Sequence, residues 1–250
     1  MMKQEEPLLI PINNITIDPN APIVFGEYTY PDTRKKFISK VYSIVWCMLV
    51  ITSTYIGICN QNHQLQSFLK TDQALQILYT DFLLLFIVTL ILCCCGRLFQ
   101  ESCIANWCIL IVFTILETYM LGYVGVYYNT NTLLLGGITT ISITTGLSIY
   151  AIQTKYDYTI FGNVLIVLFL GLIVLMLFIG FVNSPLLNIL YSTGGAVIFS
   201  FYIIYDTQLI VGGKNRMIQY TENDYVIAAI GLYLDIINLF LYILEILNGD

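Results

Sequence analysis

Residues 160–182, IFGNVLIVLFLGLIVLMLFIGFV, contain no charged side chain and only one strongly polar one, Asn163. A run of this length and composition matches the roughly 20 apolar residues needed to cross the hydrocarbon of a bilayer. It is also continuous, where a membrane β-strand would alternate apolar and polar positions. A helix is therefore expected, because in lipid each backbone N–H and C=O must find its partner within the segment. The same template fits about 41–59, 77–96, 103–128, 133–152, 186–205 and 225–247, with mostly short connections. The expected fold is an all-α integral membrane protein, a seven-transmembrane-helix bundle.

Composition agrees: 58% of the 250 residues are apolar and 10% charged, unlike an ordinary soluble domain. The stretch 1–33 is polar and carries Pro7, Pro11, Pro19, Pro22 and Pro31. It is expected to be a disordered leader, followed by the transmembrane domain at 34–250, and the first apolar run lies too far along the chain for a cleavable signal. Basic residues set the orientation. With a cytosolic N-terminus, Lys3, Arg34, Lys35, Lys36, Lys40, Arg97, Lys155, Lys214 and Arg216 share the cytosolic side, leaving Lys70 opposite. The tail of the last span, NGD, carries no Lys or Arg to set its side, and a re-entrant hairpin is the alternative to a full crossing.

A net charge of −6 argues against nucleic acid as a partner. The basic cluster at 34–36 is accounted for by topology and anionic lipid headgroups. Cysteines 47, 59, 93, 94, 95, 103 and 108 fall in or beside spans and show no disulfide pattern. Cys93, Cys94 and Cys95 close the second span where S-palmitoylation is feasible, although small apolar packing explains them as well. One histidine, His63, and the lack of a Cys-x-x-Cys pair leave no case for a resident metal or cofactor.

The polar residues inside spans carry the functional signal. Asp206 in FYIIYDTQ and Asp235 in LYLDIINLF have no basic neighbour, and an ionisable group at membrane depth is a functional hypothesis by default. Ala228, Gly231, Asp235, Asn238, Tyr242 and Glu245 recur every three or four residues and share one helix face, which must look onto protein or water. Gly137, Thr140, Thr144 and Ser148 repeat the rhythm in the fourth span, where close helix packing is the simpler explanation. Glu117 lies near the middle of the third.

Five segments, KKFISKVYSI, ETYMLGYVGVYY, QTKYDYT, IIYDTQLIVGG and DYVIAAIGLYLDIINLFLYIL, together resemble the Bax inhibitor and lifeguard family over about residues 34–247. The lifeguard branch fits best, and the Ile- and Tyr-rich composition suggests a divergent member. The resemblance implies a seven-helix bundle around a central helix, residence in endoplasmic reticulum or Golgi membranes, calcium leak from the store, and suppression of cell death. It also implies that Asp206 and Asp235 are a pH-sensitive latch. Relatives brace that latch with an arginine of the second helix, where this chain has Arg97 only at the helix end.

The physics of the pair is independent of the family. Two carboxylates about 4 Å apart at an effective dielectric near 20 repel by about 4 kcal/mol, so one proton shared between them favours the closed arrangement. Calcium takes about six to eight oxygens. A path offering Glu117, Asp206 and Asp235, with Asn238, Thr140 and Thr144 as lesser candidates, holds calcium only in passing. The expected partners are membrane lipids, Ca2+ and H+, with apoptosis regulators or calcium-release channels as protein partners. The alternative is a non-conducting survival regulator. An aspartyl protease is disfavoured because Leu232, Tyr233 and Leu234 precede the second aspartate in place of Gly-x-Gly; no enzymatic role is expected.

Overall fold

The structure, a computed structural model, describes residues 31–100, 103–182, 184–213 and 216–248, with side chains at all of these except 31–32, 93–100 and 103. Residues 1–30 of the leader therefore lie outside the described residues, 31–33 already belong to the first helix, and of Cys93, Cys94, Cys95 and Arg97 only the backbone is described. The secondary structure described is helical: α1 (Pro31–Gln61), α2 (His63–Leu69), α3 (Asp72–Gln100), α4 (Cys103–Gly125), α5 (Thr130–Gln153), α6 (Gly162–Phe181), α7 (Pro185–Val211) and α8 (Tyr225–Asn248). A 3-10 turn, Thr159–Phe161, leads into α6. Seven of these helices are long and apolar enough to cross a membrane, all but the short α2.

Helix ends follow local chemistry. Asn62 separates α1 from α2 and caps the latter, its Oδ1 accepting from the Gln64 and Leu65 amides at 3.0 and 3.3 Å. Pro185 opens α7, where a missing N–H costs nothing. At the other end Gly212 takes φ 61, a left-handed conformation suited to glycine, and stops the helix.

The helices run further than the apolar stretches that announce them. Asp206 thus lies inside α7 rather than beyond its end, about a turn and a half before Val211.

α8 is the axis of the bundle. In its most apolar stretch 61% of positions are buried, against 11% in α3 and in α6. It packs on α1, α4, α5 and α7, while α6 leans mainly on α7 and α3 mainly on α4. The polar stripe on α8 does look inward, with Ala228, Asp235 and Tyr242 buried, but so does most of the rest of that helix. One end of the bundle carries Arg34, Lys35, Lys36, Lys40, Lys155 and Arg216; the other carries Lys70. The first is called the basic end below.

Candidate functional site

At the basic end α7 and α8 cross with their carboxylates together. Asp206 and Asp235 are 7% and 6% exposed, and their carboxyls lie within hydrogen-bonding reach of each other. The approach depends on Gly231, one turn before Asp235. A Cβ at that position would stand 2.6 Å from Asp206 Oδ2, so any side chain would displace the carboxyl. Asp235 Oδ2 is buried and no donor points at it from elsewhere in the described structure. Two carboxyls so placed can bond to one another only when one carries a proton.

No basic side chain among those described bonds to either aspartate. The nearest polar company is phenolic: Tyr202 and Tyr220 both feel the two carboxylates electrostatically. The Tyr220 hydroxyl would lie 3.8 Å from a Cβ on Gly231, which sets it beside Asp206. Tyr220 belongs to the 212–224 connection between α7 and α8. Burial pushes its phenol well above the ordinary value, and the adjacent Asp206 and Asp235 push the same way.

That connection is fastened by two arginines acting as caps for membrane helices. Arg34, in the first turn of α1, donates from Nε to the Val211 carbonyl at 3.1 Å and from its terminal nitrogens to Leu209 at 2.7 Å and Tyr220 at 2.6 Å. The last carbonyls of a helix have no partner within it, and a guanidinium supplies donors in a fixed fork. Arg216 does the same for α5, donating to the carbonyls of Ala151 at 3.2 Å, Thr154 at 2.9 Å and Tyr156. Between them Gln208, fully buried on α7, accepts from the Tyr158 amide at 2.7 Å and donates to Tyr156 at 3.0 Å.

Asp157 clips the α5–α6 connection to the same loop, accepting from the Met217 amide and the Thr159 amide at 2.9 Å each. Partial burial pushes its carboxyl up, but bonds from Thr159 and Met217, with Arg216 nearby, outweigh this and hold it below the ordinary range. Arg34 and Arg216, read from the sequence as residues that set topology, therefore have internal tasks, as does Gln208, which the sequence did not single out.

Glu117 is not part of the aspartate site. It acts on Tyr233 of α8, whose hydroxyl bonds to Thr52 at 2.8 Å, and Thr52 in turn to Thr118 at 3.1 Å. Tyr233 and Asp235 are two positions apart, about 200° around the helix, so Glu117 and the aspartates lie on nearly opposite sides of α8. What Glu117 does meet is Asp81 of α3, a residue the sequence analysis passed over.

Of the lesser candidates, Thr140 turns its hydroxyl onto its own helix at the Gly136 carbonyl, 2.8 Å away, and Asn238 donates to Leu234 at 2.8 Å. Thr144 Oγ1 is buried and without a partner. Gly136 packs against Leu244 of α8, and from that antiparallel start Thr144 falls at about the depth of Asp235.

Seven membrane-length helices, one of them enclosed by its neighbours, and a buried carboxyl pair between that central helix and α7 define a multi-pass integral membrane protein. The family described as "Inhibitor of apoptosis-promoting Bax1" matches over residues 34–250, and the chain belongs to this Bax inhibitor family. It is 31% identical to protein lifeguard 3 of Homo sapiens over 90% of this chain and 72% of that one. With protein lifeguard 3 of Mus musculus the identity is 28% over the same shares, and with protein lifeguard 4 of Mus musculus 32% over 86% of each chain.

Proposed function

We propose that this protein is a pH-sensitive calcium leak channel of an intracellular membrane, endoplasmic reticulum or Golgi, which lowers store calcium and thereby restrains apoptosis. The role is that of a conduit and regulator and not of an enzyme, and the N-terminus is cytosolic, so the basic end faces the cytosol. The observation that carries the reading is the buried Asp206–Asp235 contact with no basic partner among the described side chains. Membership of a family described as an inhibitor of apoptosis-promoting Bax1 supports the link to cell survival.

With a proton between them the carboxyls tie α7 to α8 across the inner mouth. Without it, attraction becomes a repulsion of about 4 kcal/mol at about 4 Å and an effective dielectric near 20. Parting the two helices at that level admits water and a hydrated cation. Calcium prefers about six to eight oxygens, and two carboxylates with water supply them loosely, which suits slow downhill leakage over storage.

Purified protein in calcium-loaded liposomes tests this by efflux across acidic to neutral pH. Wild type should leak with a dependence on pH that Asp206→Asn and Asp235→Asn each abolish. Efflux absent at every pH, from protein shown to be folded, would remove the channel and leave a non-conducting survival regulator that works through membrane-protein partners such as apoptosis regulators or calcium-release channels. In that case cell survival should be unaffected by converting both aspartates to asparagine.

A further inference from the structure

We infer that Asp81 and Glu117 form a binding site for a hard divalent cation of the calcium class, in the seam between α3 and α4 and separate from the aspartate pair. Counted from the end opposite the basic one, both carboxylates stand about 13 Å along their helices, so they share a depth on neighbouring elements. Each residue is 6% exposed, although α3 is otherwise turned largely outward. Asp81 and Leu85, one turn apart, are the buried positions of that stretch, flanked by Tyr79 and Phe82 at 68% and 65% exposed. Asp81 therefore points into the seam.

Three observations characterise this pair, and the first sets it apart from the aspartates of α7 and α8. First, the two act on each other through space without bonding directly, whereas Asp206 and Asp235 are in hydrogen-bonding contact. Second, Asp81 Oδ2 and Glu117 Oε2 are both buried with no donor among the described residues. Third, the other groups acting on this site are the phenols of Tyr119 and Tyr233, and no lysine, arginine or histidine among the described residues bonds to it.

Two buried, unpartnered, mutually repelling carboxylates are the environment in which a cation relieves the most strain per contact, since a buried charge without a partner is costly. A calcium-class ion could take up to four oxygens here and complete its shell with water. Among the described residues no third carboxylate, histidine or cysteine joins them, so binding should be weak and exchangeable. The site holds whether or not ions cross the membrane, and its test fails independently of the leak.

Terbium, a calcium mimic excited through nearby tyrosine, reports directly on this geometry because Tyr119 and Tyr233 flank the carboxylates. Titrating purified full-length protein in an uncharged detergent at neutral pH should give saturable sensitised emission that calcium competes away. Asp81→Asn and Glu117→Gln should each weaken terbium binding by about tenfold or more, since each removes one of two charges. Asp81→Glu, which keeps the carboxylate, should retain binding and so shows that the loss is not a folding defect. Emission that is absent, or indifferent to both neutral variants, would overturn the site. So would emission lost on Asp206→Asn and kept in Asp81→Asn, which would assign the ion to the aspartate pair.

Discussion

The two carboxyl pairs sit on nearly opposite sides of α8 and are built in contrasting ways. Asp206 and Asp235 touch, have a glycine cut away to let them touch, and lie beneath a loop fastened by two arginines. Asp81 and Glu117 share a seam without touching, and each leaves a buried oxygen bare. A contact between carboxyls accommodates a proton; a gap between carboxylates accommodates a cation. The same residue type at membrane depth thus serves two chemistries, and the separation decides which.

The largest expected effect comes from removing the charge that makes the first pair switchable. In Asp235→Asn the amide can donate permanently to Asp206, so the contact no longer depends on a proton. If a repulsion of about 4 kcal/mol drives opening, up to about a thousandfold change in the open-to-closed ratio disappears. The efflux curve should become flat with pH. Glu117→Gln, across α8, should leave the shape of that curve intact, and a flattened curve there would merge the two sites into one.

Gly231→Ala attacks the contact sterically. A methyl group 2.6 Å from Asp206 Oδ2 has to move a buried carboxyl, and overpacking of this kind costs about 1–3 kcal/mol. Thermal unfolding in detergent should show the loss, and the pH response of efflux should weaken with it. Gly137→Ala on α5 is the matched control, since nothing lies within 4 Å of a Cβ there, and it should be close to neutral.

The fastening above the pair comes next. Arg34→Ala strips donors from three carbonyls at once, two of them at the end of α7, and each half-buried carbonyl left bare costs about 1 kcal/mol or less where water can reach it. The expectation is a lowered melting temperature together with faster amide exchange in 216–224. Arg34→Lys should recover only part of the loss, because one ammonium cannot span all three acceptors.

These contrasts also explain what could be read from sequence. The seven-helix architecture was legible because residues 160–182 and the runs like it can satisfy their backbones in lipid only as helices. Asp206 and Asp235 were legible because a carboxylate amid isoleucine and leucine is conspicuous. Asp81 escaped because it stands near the start of its apolar run, where an interfacial position accounts for a charge, and only packing on α4 reveals that it is buried.

Spacing shows which face a residue shares but not what its polar atoms bond to. Thr140 and Asn238 lie on promising faces, yet spend donors on their own helices. Arg34 was opaque for a different reason: its acceptors lie some 175 to 186 positions away along the chain. The likeness of Glu117 to the aspartates in residue type concealed that α8 stands between them, a matter of helix rotation relative to partners that no local pattern encodes.

The smallest expected effect concerns Asp157, an acid at the basic end that belongs to neither pair. Its carboxyl is held below the ordinary range by bonds it accepts in the folded state, chiefly from Thr159 and Met217. A carboxyl depressed on folding contributes stability above its unfolded value, near about pH 4, and loses that contribution as pH falls through the lower folded value. Acidification below about pH 4 should therefore release the Met217 and Thr159 amides, seen as lost exchange protection once the intrinsic pH dependence of exchange is removed. Asp157→Asn should show the weaker protection already at neutral pH and little further change on acidification. The position is partly open to water, so the change should stay local to 157–159 and 216–218. If acidification instead parted α7 from α8 in wild type and not in Asp157→Asn, the surface clip, and not the buried aspartates, would be the proton-sensing element of this end of the bundle.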